Sequence, residues 1–437
     1  MNARIAAVNA LTGFFSKKSY SDSEIKNILF SAGLDRRDAA LATRLYYGVL
    51  QNMAYIDFFL QQFSSVRLKK MHPRVLNILR VGAFQILFSD RIPDFAAVSE
   101  SVDAAKATGN ARATGLINAV LRKLTAQKDS LELPQELARD EYLSLRYSHP
   151  LELTRKLMSI YGEDTEALLA ADNAAPPTVV RVNSLKATSE QAIASLREDG
   201  CEVEEYSIPK GALAITESGR VDALKAFSDG LIAVQDRASQ LAVAALDPQA
   251  GDVIVDVCSA PGGKSLAAAA ATENKTEIYS FDIYPEKLEV VRKNAERLGA
   301  RIHTQCRDAL EPDESLFGKA DRLIADLPCS GLGIIRKKPD IRYKELGSDL
   351  PALQLEILKR SWNYLKPGGI AVYSTCTILP EENGEVADRF IAEVGAEPIA
   401  FFTDLPEIYQ APKGQLTLLP HIHGTDGFFI AKLRKPK

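Results

Sequence analysis

Cysteine is scarce in this chain. Five cysteines in 437 residues form no disulfide framework, and none of them pairs in the CxxC spacing that holds zinc. Free thiols fit a reducing cytoplasm, so a cytoplasmic protein without a bound metal is expected. Long apolar runs are missing too, and none reaches membrane-spanning length without charges. Met1-Asn2-Ala3-Arg4-Ile5 lacks the charged-then-apolar layout of a secretory signal. Neither GxGxxG nor GxxxxGK[ST] occurs, so the two familiar phosphate loops are absent. What remains is an ordinary globular composition, 46% apolar and 25% charged. The length suits two or three domains with ample core.

The net charge of −4 is unevenly spread. Residues 1–128 hold 18 Lys and Arg against 9 Asp and Glu, about +9, which leaves about −13 for the rest. A basic module joined to an acidic one suggests that the first meets a polyanion. A merely solvated basic surface is the alternative.

The basic part reads as all-helical. Leu76, Leu79, Arg80, Ala83, Phe84, Ile86 and Leu87 follow helical spacing, and so do Leu116, Ile117, Val120, Leu121 and Leu124. The polar stretch from Gln127 to Asp140 reads as a linker, followed by helical segments over Tyr142–Arg146 and after Pro150. Residues 176–230 change character. Thr178-Val-Val-Arg-Val182, Cys201-Glu-Val-Glu-Glu-Tyr206 and Gly211-Ala-Leu-Ala-Ile215 read as strands around a helix from Ser189 to Glu198. This is a small α+β module of ferredoxin-like or RNA-recognition-motif-like kind. Such sheets often present a face to RNA, although a spacer accounts for its mixed surface equally well. From residue 231 strands and helices alternate, as a doubly wound parallel sheet requires. The strands are Val253–Val257, Ile278–Asp282, Ile302–Thr304, Arg322–Asp326, Ile370–Ser374 and Phe428–Lys432. A helix over Leu353–Leu365 should stop at Lys366-Pro-Gly-Gly369. The expected division is therefore 1–128 helical, 129–175 linker and helices, 176–230 α+β, and 231–437 Rossmann-like α/β.

Ligands of such sheets bind outside the carboxyl ends of the strands, and the informative motifs lie there. Asp256-Val-Cys258-Ser259-Ala260-Pro261-Gly262-Gly263-Lys264-Ser265 runs from a strand into a glycine-rich turn. Gly262 and Gly263 permit close backbone approach, and a helix starting near Lys264 can face a carboxylate with its N-terminus. Asp282 ends the next strand, where an acid can bind both ribose hydroxyls. Asp308 follows the third strand, near the place of an adenine. The set suits an adenosine cofactor with an amino-acid tail, S-adenosylmethionine. NAD enzymes share this layout, and an acid at the second strand is often only a cap. Asp326-Leu-Pro-Cys329-Ser-Gly331 and Ser374-Thr-Cys376-Thr377 each put a cysteine just past a buried strand. Two such thiols beside a cofactor loop suggest covalent chemistry on an electrophilic substrate. Cys201, Cys258 and Cys306 read as small buried hydrophobes. His303, His421 and His423 read as structural or exposed.

These segments, with Arg336-Lys337-Lys338-Pro-Asp-Ile-Arg342, Glu381-Glu-Asn383, Val234–Gln240 and Gly424-Thr-Asp-Gly-Phe-Phe429, resemble the RNA 5-methylcytosine methyltransferases. Asp38–Arg44 and Ile117–Arg122 resemble the antitermination factor NusB. The combination is similar to the ribosomal RNA small subunit methyltransferase B subfamily, and the likeness covers nearly the whole chain. One departure is Leu327, where that family usually carries Ala.

The resemblance implies methylation of cytosine C5 in 16S ribosomal RNA. It makes Cys376 the nucleophile and gives Cys329 the release step. Asp326 would meet the base edge, and Lys264 would supply positive charge to favour a thiolate. Cys258 to Lys264, Asp282, Asp308 and Asp326 would line the cofactor site. Arg336, Lys337, Lys338 and Arg342 would hold RNA phosphates, and the target base must leave its stack. A monomer is the expected state. Two rivals stand beside this reading: a catalytically idle RNA-binding or antitermination-type protein, and a Rossmann oxidoreductase. The first is disfavoured by the intact Cys329, Cys376, Asp326 and Lys264. The second is disfavoured by the missing GxGxxG and by a cysteine pair it would not need.

Overall fold

The computed structural model describes residues 2–17, 21–216, 219–344, 347 and 349–437. Two compact units form, Met1–Ala174 with Ile335–Lys344, and Ala175–Ile334 with Glu345–Lys437.

The first unit is helical. Its main helices are Ala3–Lys17, Ser21–Ala32, Arg36–Phe63, Pro73–Phe88, Asp94–Ala107 and Thr114–Gln127. Asp35 caps the long helix by accepting from the Asp38 N–H at 2.8 Å. Pro73 opens its helix where a missing N–H costs nothing. Leu45, Leu50, Phe59 and Leu60 pack against Ile78, Leu79 and Phe84, and against Ile117, Leu121 and Leu124. The apolar spacing read from the sequence is thus a buried face. Arg80 lies on the same helix and pairs with Asp57 at 2.6 Å. Three more helices follow, Arg139–Arg146, Leu151–Tyr161 and Thr165–Asn173.

The segment Ile335–Lys344, which the sequence places with the C-terminal domain, belongs to this helical unit. Arg342, expected among the phosphate-holding cations, is instead an interior residue. Its side chain is 2% exposed. Its guanidinium donates to the carbonyls of Gln51, Tyr147 and Ser148 at 3.1 to 3.2 Å and to Asn173 Oδ1 at 3.0 Å. Beside it, the Tyr343 hydroxyl donates to Leu50 O at 2.7 Å. A buried guanidinium whose terminal nitrogens donate to protein oxygens, with Nε left without a partner among the described residues, holds chain segments together and offers no exposed donor to RNA.

The second unit begins with β1 (Thr178–Val182), β2 (Glu202–Glu205), β3 (Ala212–Thr216) and β4 (Ile232–Val234). They form an antiparallel sheet in the order β2-β3-β1-β4. β4 falls beyond residue 230, because its three residues pair with β1 and are too few to announce a strand. Thr188 and Gln191 close a capping box on the helix Ser189–Glu198.

The larger sheet contains β5 (Val253–Asp256), β6 (Glu277–Asp282), β7 (His303–Cys306), β8 (Ala320–Asp326), β9 (Leu365–Thr375), β10 (Glu397–Pro398), β11 (Gln415–Leu418) and β12 (Phe428–Arg434). Its order is β10-β12-β9-β8-β5-β6-β7, with β11 paired to β12. The run from β7 to β9 is parallel, and β12 closes it antiparallel to β9. β5 lies between β6 and β8, so the strand order reverses around it and a crevice opens at their carboxyl ends. Lys366-Pro-Gly-Gly369 does not stop a helix. The helix ends at Ser361, a 3-10 turn covers Trp362–Tyr364, and Lys366–Gly369 lies inside β9. The strand forms there because Gly368 and Gly369 exchange backbone hydrogen bonds with Lys435. Among the described residues no helix is long and apolar enough to cross a membrane.

Candidate active site

The loop after β5 is built for close approach. Ser259 N–H donates to Phe281 O at 2.7 Å, which ties the loop to β6. Gly262 has φ of +99°, a conformation that favours glycine, and Gly263 opens the helix Gly263–Ala271. Asp282, at the end of β6, accepts from the Ala260 N–H at 3.2 Å and the Tyr284 N–H at 3.1 Å. Its carboxylate is therefore oriented by two backbone donors, and each oxygen keeps a lone pair for a further partner. Asp308 lies two residues past β7 and accepts from the Leu310 N–H at 2.9 Å.

A pocket of about 200 Å³ opens here, lined by Asp256, Cys258, Ser259, Pro261, Lys264 and Asp326 among others. Asp256 was not singled out from the sequence. It is 1% exposed and burial raises its pKa from the usual carboxylate range to about 7, although Ser265 Oγ donates to it at 2.6 Å. Gln235, Asp236 and Ser239 complete the far wall. Burial likewise lifts the Cys258 thiol, which favours its neutral form. Cys201 is buried as expected, whereas Cys306, read as a buried hydrophobe, is exposed at the end of its strand.

The ends of β8 and β9 bring the two motif cysteines together. Cys329 Sγ and Cys376 Sγ are 3.4 Å apart. Strands 8 and 9 are neighbours in parallel register, with Asp326 opposite Ser374, so both chains emerge at one place. Asp326 is fixed from two sides, by Lys264 Nζ at 2.6 Å and by the Ser374 hydroxyl at 2.7 Å. Lys264, expected to favour a thiolate directly, has its charge on Asp326 and its Nζ 5.1 Å from the Phe428 ring centre. The Cys329 pKa is raised well above its ordinary value, first by the hydrogen bond to Cys376 and then by burial. Both causes favour the neutral thiol at Cys329.

Two residues absent from the sequence-derived set hold the Cys329 loop. Glu382 Oε2 accepts from the Ser330 N–H at 2.8 Å and from Gln354 Nε2 at 3.1 Å, and Gln354 also donates to Pro328 O at 2.9 Å. Glu382 stood within the Glu381–Asn383 motif, but Gln354 lies in a helix with nothing in its sequence to mark it. Asn383 binds the Thr375 hydroxyl and Thr377 O, which orients the chain on both sides of Cys376.

Residues 243–434 match the family described as 16S rRNA methyltransferase RsmB/F. Residues 1–126 match the NusB family, and 149–222 match the RsmF/B-like ferredoxin-like domain. The "Probable ribosomal RNA small subunit methyltransferase B" of Bacillus subtilis is 34% identical, over 99% of both chains. The chain belongs to the ribosomal RNA small subunit methyltransferase B family. The enzyme of that name from Pseudomonas putida is also 34% identical, over 100% of this chain and 99% of its own. The crystal structure of PH0851 superposes with a TM-score of 0.80 at 26% identity, covering 100% of this chain and 99% of that one.

The methyl donor of this methyltransferase family is S-adenosylmethionine. The residues present fit it. Asp256 Oδ1 and Ser259 Oγ are buried and have no hydrogen-bond partner among the described residues, and both residues line the pocket. Orphaned buried polar atoms next to a glycine turn and an oriented carboxylate are what a polar, zwitterionic nucleoside would satisfy. Replacing Asp282 by Ala should weaken S-adenosylmethionine binding by roughly 1–3 kcal/mol, through loss of a charge-assisted partner. Titration calorimetry that finds the affinity unchanged would remove Asp282 from the ribose role.

Proposed function

We propose that the protein methylates C5 of a cytosine in small-subunit ribosomal RNA through a covalent bond between Cys376 and C6 of the base. The observation that carries this reading is the 3.4 Å approach of Cys329 and Cys376 beside the Lys264–Asp326 pair. Cytosine C5 is a poor nucleophile. Addition of the Cys376 thiolate to C6 breaks the C5–C6 double bond and makes C5 electron-rich. Lys264 and Ser374 hold the Asp326 carboxyl where the N3–N4 edge of the base can hydrogen-bond to it as the adduct forms. Bound S-adenosylmethionine supplies an electrophilic methyl group, and Asp256, Ser259, Gly262, Gly263, Asp282 and Asp308 would hold it. Release requires a base to take the C5 proton so that the C6–S bond can break.

Cys329 suits that last task because its acidity changes with the reaction. While Cys376 is free, the hydrogen bond to it is the first cause that keeps Cys329 protonated. Once Cys376 is bonded to carbon its sulfur carries no charge, and that cause is gone. The thiol beside the adduct then loses its proton more easily. Arg336, Lys337 and Lys338 lie in the segment after the Cys329 loop and would contact RNA phosphates. The basic helical unit would add sequence-independent attraction.

Bisulfite sequencing of 16S ribosomal RNA from cells with and without the protein tests the reading. One cytosine should lose protection when the protein is absent. An unchanged map, with methyl transfer to another atom, would overturn it.

A further inference from the structure

Glu382 and Asn383 are consecutive and buried, and each serves a different cysteine loop. Glu382 Oε2 accepts from the Ser330 N–H at 2.8 Å and from Gln354 Nε2 at 3.1 Å, and Gln354 also donates to Pro328 O at 2.9 Å. Both neighbours of Cys329 in the chain are thus fixed. Asn383 Oδ1 accepts from the Thr375 hydroxyl at 2.5 Å, and its Nδ2 donates to Thr377 O at 3.0 Å. Both neighbours of Cys376 are fixed in the same way. The pair has one root on β9, where the Tyr373 hydroxyl donates to Glu382 O at 2.5 Å. The two loops meet once more at the hydroxyls of Ser330 and Thr377, 2.7 Å apart.

We infer that Glu382-Asn383 is a two-sided clamp, in which Glu382 with Gln354 positions Cys329 for release and Asn383 with Thr375 positions Cys376 for attack. This rests on the covalent reading and adds that its two steps have separate supports. A buried acid and two buried amides cost desolvation that apolar side chains would avoid. The atoms they bind on the two loops, Ser330 N–H, Pro328 O, the Thr375 hydroxyl and Thr377 O, all belong to residues beside a thiol. A displacement near 1 Å at a reacting atom can cost on the order of 10²-fold in rate. Loosening one side leaves the hydrogen bonds of the other in place. The hydroxyl contact between the loops adapts, because an O–H group rotates to suit its partner. In this scheme Glu382, Asn383, Gln354 and Thr375 are positioning residues that act through the two cysteines.

The test separates the two steps in the full-length protein. Attack is read as the rate constant of adduct formation on 16S ribosomal RNA transcribed with 5-fluorocytidine, which carries no removable C5 proton and so holds the adduct. Release is read on unmodified RNA, as turnover and as the covalent fraction at steady state on denaturing gels. RNA and S-adenosylmethionine are saturating throughout. Gln354→Met and Glu382→Met should each leave the attack constant of the reacting fraction within two-fold of the parent, lower turnover at least ten-fold and raise the covalent fraction. Thr375→Val, which removes one hydroxyl and keeps the side-chain shape, should slow attack at least five-fold, lower turnover by the same factor and leave the covalent fraction no higher than in the parent. A merely structural network would lower the melting temperature and slow both steps by one factor in every variant. That result, or parental constants in all three variants, would overturn the clamp while the covalent reading stands. No adduct from the parent protein would overturn the covalent reading and the clamp together.

Discussion

Replacing Cys376 by Ala should abolish methyl transfer, with a fall on the order of 10⁴-fold or more, because no other group can take the place of the attacking sulfur. Cofactor binding should change less than about two-fold, since Cys376 is not among the residues that line the cofactor pocket. The same variant carries a second readout. Loss of Cys376 removes the first cause of the raised Cys329 pKa and leaves burial in place. The Cys329 thiol should therefore titrate at lower pH than in the parent, while staying above the ordinary thiol range. Alkylation rate against pH, followed at Cys329 by mass spectrometry, measures the shift. Substantial residual turnover would take the nucleophile role from Cys376, and an unmoved Cys329 profile would deny the thiol–thiol hydrogen bond.

What the sequence made legible was chiefly what lies at strand ends. Cys329, Cys376, Asp326 and Asp282 follow buried apolar runs, and parallel strands deliver such positions to one edge of the sheet. The neighbourhood of β8 and β9 then fixes the thiol–thiol distance without further instruction. Glu382 and Gln354 were less visible, because they act through the geometry of a loop and their partners are a backbone N–H and a backbone carbonyl. Nothing local distinguishes such a glutamine from one facing solvent. Arg342 shows the same limit. In a run of cations it reads as part of a basic surface, and only oxygens of Gln51, Ser148 and Asn173, far away in the chain, make it an interior residue. Lys366–Gly369 misled for a related reason. Pro and Gly usually terminate elements, but backbone pairing with Lys435 lets these residues enter a strand. Local signals marked the residues at the strand ends, and long-range hydrogen bonds decided which polar residues surround them.

Replacing Cys329 by Ala should produce a protein that begins the reaction and cannot finish it. The nucleophile remains, the Asp326–Lys264 pair does not depend on the Cys329 side chain, and the loop keeps its anchors. Those anchors are the Ser330 N–H on Glu382 and Pro328 O on Gln354. Adduct formation should therefore proceed, and is compared directly with the parent on unmodified 16S ribosomal RNA. Without the thiol, the C5 proton has no positioned acceptor. General base catalysis typically contributes 10²- to 10⁴-fold, so turnover should fall by about 10²-fold or more while a covalent protein–RNA species accumulates. The species should survive denaturation and appear as a shifted band that requires S-adenosylmethionine for its methylated form. Cys329→Ala combined with Cys376→Ala should give no band, which separates a Cys376 adduct from adventitious crosslinking. A Cys329→Ala variant that turns over at the parent rate without the band would contradict the release role. The 3.4 Å thiol pair would then matter only for holding Cys376 in place before attack.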